Sequence, residues 1–310
     1  MKERRIRSAV VTGPTGAVGT ALCRALAEQG IQVYAVCRPD SPRAVAIPQH
    51  PLISTVFCDA AALSQLPQQI GGQVDAFYHL AWVKTTGAGR NDMQAQTDNI
   101  RYTLDAVDAA AALGCSVFLG AGSQAEYGRV EGKLSADTPC FPENGYGMAK
   151  LCAGQMSRVA CEARGIGHIW VRILSVYGPG DGAGSMISGV IAKLLAGERP
   201  ALTAGVQKWD YLYADDAAKA LLLLALRGVH GRVYPLGSGR AVPLRSYIET
   251  LRDQIDPALP LGFGEIPYSP LQVMHLEADI TALEADTGYR PDTDFTVGIR
   301  RTIEDIKNKI

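Results

Sequence analysis

Tyr146 and Lys150 stand four residues apart in Tyr146-Gly-Met-Ala-Lys150. On a helix this spacing puts both on one face. A nearby ammonium favours a phenolate and lowers the tyrosine pKa, so the pair is expected to give and take a proton near neutral pH. Taken alone, such a pair is equally a half-buried tyrosine beside a surface lysine. Its position after the fifth strand of a dinucleotide-binding pattern favours chemistry. Ser123, in Gly120-Ala-Gly-Ser-Gln-Ala-Glu-Tyr-Gly128, lies just past that strand. Ligands of open α/β sheets bind at strand carboxyl ends, and a hydroxyl there can hydrogen-bond a substrate oxygen.

A second group of residues suits a phosphate. Thr12-Gly-Pro-Thr-Gly-Ala-Val-Gly19 follows an apolar, β-branched run and opens a helix. Glycines let the backbone approach a pyrophosphate, and the helix start supplies unpaired N–H groups. Gly13, Thr15, Gly16, Ala17, Val18 and Gly19 are therefore the expected cradle of a dinucleotide. Binders of NAD usually carry an acid at the end of the second strand, for the ribose 2′-hydroxyl. Here that place reads Val36-Cys-Arg-Pro39. Arg38 suits a 2′-phosphate, which favours NADP. Asp40 keeps NAD as the alternative.

These residues need elements to hold them. Ser8–Thr12, Ile31–Cys37, Thr55–Cys58, Asp75–Ala81, Ser116–Gly120 and His168–Leu174 read as strands. Residues 17–29, 92–113 and 146–164 read as the helices between them. Such alternation predicts an α/β fold, a doubly wound Rossmann sheet that is parallel and covered on both faces. Past Tyr177-Gly-Pro-Gly-Asp181 the pattern loosens. Helices are expected over 186–196, 215–226, 247–256 and 296–309, with a strand over 232–235. The expected organisation is a dinucleotide-binding domain over 1–176, to which 211–236 returns, and a smaller C-terminal α/β substrate lobe over 177–210 and 237–310.

Bulk properties narrow the classes. The 310 residues are 47% hydrophobic and 20% charged, with a net charge of −1. A globular enzyme is expected, with no nucleic-acid or membrane partner. The charged start, without a signal-like apolar segment, suggests the cytoplasm. Seven scattered cysteines, none in a Cys-x-x-Cys pair, argue against a metal site or disulfide framework and read mostly as small buried apolar residues.

Together these motifs resemble the extended short-chain dehydrogenase/reductase family, the nucleotide-sugar epimerase/dehydratase/reductase group. The likeness runs through nearly the whole chain. It rests on the Thr12–Gly19 loop, Asp59, His79-Leu-Ala81, Asn99, Ser123 ahead of Tyr127-Gly128, Tyr146 with Lys150, Arg172 to Gly180, and Asp210 to Asp216. The resemblance implies that Asp59, with Ala60, meets the adenine. It places Leu80, Ala81, Trp82 and Asn99 along the dinucleotide, and Lys150 and Tyr146 at the nicotinamide end. Ser123 and Tyr146 would hold a carbonyl or hydroxyl while hydride moves to or from the nicotinamide. Helices bearing Asn99 and Tyr146 would pair across a two-fold axis as a homodimer.

Departures from the family pattern matter equally. Dehydratases of the group carry Thr-Asp-Glu where this chain has Ser123-Gln124-Ala125, so elimination is not expected. Ser175 stands where relatives often have asparagine, and Trp209 where they have arginine, both diphosphate contacts. Lys208 is the substitute cation, and Trp209 offers a face for a base or sugar. Gln124, Ser175, Lys208 and Trp209 thus join Ser123 and Tyr146 as expected substrate residues. The leading expectation is NADPH-dependent reduction of a 4-keto-(deoxy)sugar nucleotide. A 4-epimerase with tightly held NAD is the alternative. Reduction of a non-nucleotide carbonyl compound, or a dinucleotide sensor without chemistry, ranks below.

Overall fold

The computed structural model describes residues 3–182 and 184–309. In chain order its first half runs β1 (Ser8–Thr12), α1 (Ala17–Glu28), β2 (Gln32–Cys37), β3 (Ile53–Phe57), α2 (Leu66–Ile70), β4 (Ala76–His79), α3 (Met93–Ala112), β5 (Val117–Ser123), α4 (Gly145–Ala163) and β6 (Gly167–Ile173). The second half runs β7 (Ser175–Tyr177), α5 (Met186–Leu195), β8 (Ala201–Leu202), β9 (Lys208–Trp209), β10 (Tyr211–Tyr213), α6 (Ala214–Arg227), β11 (Val233–Leu236), β12 (Val242–Pro243), α7 (Leu244–Asp253), β13 (Gly262–Phe263), α8 (Thr281–Thr287) and α9 (Phe295–Lys307).

Seven parallel strands form one sheet in the order β11-β6-β5-β4-β1-β2-β3. Alternate side chains feed two cores. Ala9, Val11 and Val33 pack with Leu22 and Leu26 of α1 and Leu221 and Leu224 of α6 on one face. Val10, Val36, Phe77 and Phe118 pack with Ala106, Val107 and Ala110 of α3 on the other. This is the Rossmann-like α/β architecture expected, with both faces covered. The strand order reverses between β1 and β4, so a crevice opens there at the carboxyl ends. A third core joins α5, α7 and α9 through Ile191, Ile248 and Ile299, beside three two-stranded pairs, β7 with β10, β9 with β12 and β8 with β13.

Several boundaries differ from expectation. β4 stops at His79 because the next residues turn onto the β1 end, where Ala81 N donates to Thr12 Oγ1 at 3.2 Å. β5 continues through Gly120-Ala-Gly to Ser123, so the serine is the last strand residue. α7 starts at Leu244, directly after Pro243. Helix α8 has no counterpart in the sequence reading. It is seven residues long, only Leu283 and Thr287 are buried, and Gly288 ends it at φ +72°. All seven cysteines are free, and five are buried.

Candidate active site

β1 ends at Thr12, the chain turns through Gly13 at φ +70°, and α1 begins after Gly16. A methyl on Gly13 would lie 2.9 Å from the Leu80 carbonyl carbon and the Ala81 nitrogen, so the loop sits directly on the exit of β4. On Gly19 it would lie 2.1 Å from the Gly13 oxygen; glycine there lets the helix close on the loop. Gly16 faces open space, with no neighbour within 4 Å, and no side chain caps the helix start. The loop thus offers unpaired N–H groups and room, the fit a pyrophosphate requires.

From this loop a cleft of about 380 Å³ runs along the ends of β1, β2, β3 and β4. Of the expected cofactor residues, Gly13, Thr15, Arg38, Asp59, Ala60, Ala81, Trp82 and Asn99 line it. Gly16 and Gly19 shape the helix start instead, and Ala17, Val18 and Leu80 pack on the core. Asn99 clamps the chain after β4, accepting from Val83 N at 3.0 Å and donating to Val83 O at 3.1 Å. His79 bonds Thr12 Oγ1 at 3.1 Å, and burial lowers its pKa to about 3, leaving it neutral.

The cleft wall beyond β2 also holds Ser41 and Arg43, which the sequence reading passed over. Arg43 donates to Thr15 O at 2.7 Å and Gly180 O at 3.1 Å, tying the glycine loop to the segment after β7. Asp40 is absent from the wall; its backbone turns through φ +56°. A second arginine five residues after Arg38 was the available signal.

At the other end, Asn144 caps α4 by accepting from Gly147 N at 2.9 Å, which fixes the start of the helix bearing Tyr146 and Lys150. The structure brings both to Trp82. The Tyr146 ring meets the indole edge-on at 6.1 Å, and the Lys150 ammonium lies 3.7 Å from its centroid. Lys150 also donates to Ala121 O at 2.5 Å. Ser123 Oγ accepts from Ala125 N at 3.2 Å, and Ser123 N donates to the buried Glu126 carboxylate at 2.8 Å. Glu126 in turn accepts from Trp170 Nε1 and pairs with Arg172 at 2.8 Å. Glu126 lies within the Gly120–Gly128 segment, where its residue type alone gives no sign that it anchors the serine strand.

The expectation that Lys150 makes Tyr146 acidic is corrected. Burial raises the Tyr146 pKa; hydrogen bonding with Ser123 and the charge of Arg90 oppose that rise. The lysine is occupied by Ala121 O and the Trp82 face, 5.9 Å from the tyrosine ring centroid.

Ser175 and Trp209 are brought together, the indole N–H donating to Ser175 Oγ at 2.8 Å. Each therefore satisfies the other. Lys208 is exposed on β9, and Gln124, half-buried, opens the turn after β5. Two acids of the Asp210–Asp216 motif are structural. Asp210, fully buried, accepts from Ser238 N, Gly239 N and Ala278 N at 2.7–3.1 Å, and Asp216 accepts from Asp292 N and Thr293 N at 3.2 and 2.9 Å.

The profile describing the NAD dependent epimerase/dehydratase family matches residues 9–237. The chain belongs to that family. It is accordingly an enzyme of the NAD(P)-dependent oxidoreductase type. Among its relatives is the UDP-glucose 4-epimerase of Azospirillum brasilense, 26% identical over 318 residues, covering 94% of this chain and 90% of the relative. The dTDP-4-dehydro-6-deoxyglucose reductase of Escherichia coli is 26% identical over 188 residues, covering 59% of this chain and 58% of the relative. The UDP-N-acetylglucosamine 4-epimerase of Methanobrevibacter ruminantium M1 shares the fold with a TM-score of 0.88, at 22% identity and 100% coverage of both chains. No helix among the described residues is long and apolar enough to cross a membrane.

Proposed function

We propose that this family member is an NADP-linked reductase of a keto-sugar nucleotide, working as a homodimer. One observation carries the reading: the wall beyond β2 presents Arg38, Ser41 and Arg43, and the neighbouring acid Asp40 is not on it. Two guanidiniums and a hydroxyl suit a 2′-phosphate, whereas a bare ribose calls for a carboxylate. Cells draw on the phosphorylated dinucleotide for net reduction, which joins the cofactor choice to the reaction.

When bound, the nicotinamide supplies or takes the hydride. The chain's residues handle the rest. The Gly13–Gly16 turn and the α1 start hold the pyrophosphate, and Asp59 and Ala60 meet the adenine. Glu126 fixes the Ser123 backbone, so its hydroxyl and the Tyr146 phenol can grip one substrate oxygen. Tyr146 then delivers the proton to that oxygen. Lys150 keeps a hydrogen-bonding amino group at the nicotinamide end, against the Trp82 face. We assign the substrate to the segments after β6, a lobe of residues 177–210 and 237–310. There Lys208 serves the diphosphate, and Trp209, bonded to Ser175 at the border of the lobe, holds an indole face for base or sugar.

A second reading, a 4-epimerase with retained NAD, is favoured by the Azospirillum relative, which matches over 94% of this chain. The two separate cleanly. A reductase consumes NADPH only when a keto-sugar nucleotide is added, while an epimerase purifies with NAD and interconverts sugars without added cofactor. Replacing Arg38 by alanine is expected to weaken NADPH binding at least about tenfold, with NADH little changed. Equal loss for both cofactors removes the basis for NADP.

A further inference from the structure

Two cations approach the Tyr146 ring, and they are placed differently. Arg90 sits on the short turn Gly87–Asn91 between β4 and α3, its guanidinium carbon 4.7 Å from the Tyr146 ring centroid. Lys150 is farther, at 5.9 Å, and its ammonium is committed to Ala121 O and Trp82. Arg90 forms no ion pair with any carboxylate among the described residues, and its Nε is buried without a partner. Its charge is therefore not cancelled locally.

The turn that carries Arg90 is held from both neighbouring helices. Gln96 of α3 donates to Gly89 O at 3.0 Å and Lys84 O at 3.1 Å. Asn91 Oδ1 accepts from Gly145 N at 3.0 Å, at the first residue of α4. Gly145 itself has room for no side chain, since a methyl there would lie 2.8 Å from Met93 Sδ and 3.1 Å from Arg90 O. The arginine and the tyrosine are thus anchored to each other by the Asn91 side chain and the Gly145 backbone, one residue from each.

We propose that Arg90 is a positioning residue that holds the Tyr146 ring and supplies the fixed positive charge its phenolate needs. This rests on the reading of Tyr146 as proton donor. A guanidinium stays charged at every working pH, and a cation over an aromatic face is attracted more strongly once the ring oxygen is negative. The charged and titrating groups facing Tyr146 are Arg90 from the turn, Glu126 after β5 and Lys150 from its own helix. Glu126 works against ionisation, burial does so more strongly, and the Ser123 hydroxyl and Arg90 oppose them.

The test uses the full-length protein labelled with carbon-13 at the tyrosine Cζ, titrated by NMR, with Tyr146→Phe identifying the resonance. No substrate is needed. In Arg90→Gln, Tyr146 is expected to titrate about one pH unit or more above wild type, and in Arg90→Lys close to wild type. Arg90→Met is a second charge-free variant, and unchanged resonances of the other tyrosines report that each variant is folded. A Tyr146 that titrates alike in wild type, Arg90→Gln and Arg90→Met overturns the proposal, as does an Arg90→Lys protein that moves as far as Arg90→Gln. Failure of the parent reading appears elsewhere, as full turnover in Tyr146→Phe, whatever the titration gives.

Discussion

Burial works against the charge of Lys150, which is only 3% exposed, and lowers its pKa to about 7, with Glu126 partly offsetting the effect. Unfolded, the side chain returns to the ordinary lysine value of 10.5. Below about pH 7 both states are protonated and the folded state bears the full cost of a buried ammonium. Between 7 and 10.5 the unfolded state binds more protons, so this contribution to stability rises with pH. Lys150→Met is therefore expected to exceed wild type in stability by on the order of a few kcal/mol at pH 7, with the gap closing towards pH 10. Denaturant melts of the two proteins across pH measure it; a gap independent of pH contradicts the account. At this scale the sequence was partly legible. Spacing brought out Tyr146, Lys150 and Ser123, because their types announce proton chemistry. Arg43 and Arg90 lie in turns without period, and only the fold brings them to the glycine loop and the tyrosine.

Among the elements, β5 shows how a neighbour decides a boundary. Ala121-Gly122, past the expected strand end at Gly120, looks like the start of a loop, yet it is strand, paired with Val171 and Arg172 of β6, and the Trp170 indole lies across it. A methyl on Gly120 or Gly122 would lie 2.2 or 2.4 Å from that ring, and one on Gly154 of α4 would lie 2.6 Å from it. Three glycines thus make room for one tryptophan, whose N–H goes to Glu126 at 3.0 Å. Gly154→Ala is expected to destabilise by about 1–3 kcal/mol through overpacking. Gly189→Ala in α5, where a methyl meets nothing within 4 Å, is expected to gain up to about 1 kcal/mol from helix propensity. Denaturant midpoints of the pair check both signs. The period of the long helices made them readable, and so did the apolar runs of the buried strands. Strand ends set by packing, and a helix as short as α8, carry no such local signal.

For the molecule as a whole, a parallel sheet with both faces covered followed from the alternation of strands and helices, which left few topologies open. The segments after β7 were less legible, because their two-residue strands are defined by pairing partners far away in the chain. Met148, Cys152, Met156 and Val159 form an exposed stripe along α4, with Met148 51%, Met156 44% and Val159 56% exposed. A second copy of the same helix is the occupant expected from the family resemblance. Sedimentation is expected to give a dimer, and Met148→Glu with Val159→Glu a monomer; a wild-type monomer contradicts that assembly.

The most direct test of the central claim follows nicotinamide absorbance while purified protein is mixed with NADPH and a 4-keto-6-deoxyhexose nucleotide, for wild type and Tyr146→Phe. Wild type is expected to oxidise one NADPH per keto-sugar, faster than it oxidises NADH. Tyr146→Phe is expected to bind NADPH equally well but to turn over at least about a hundredfold more slowly. Wild-type turnover by Tyr146→Phe would contradict the claim.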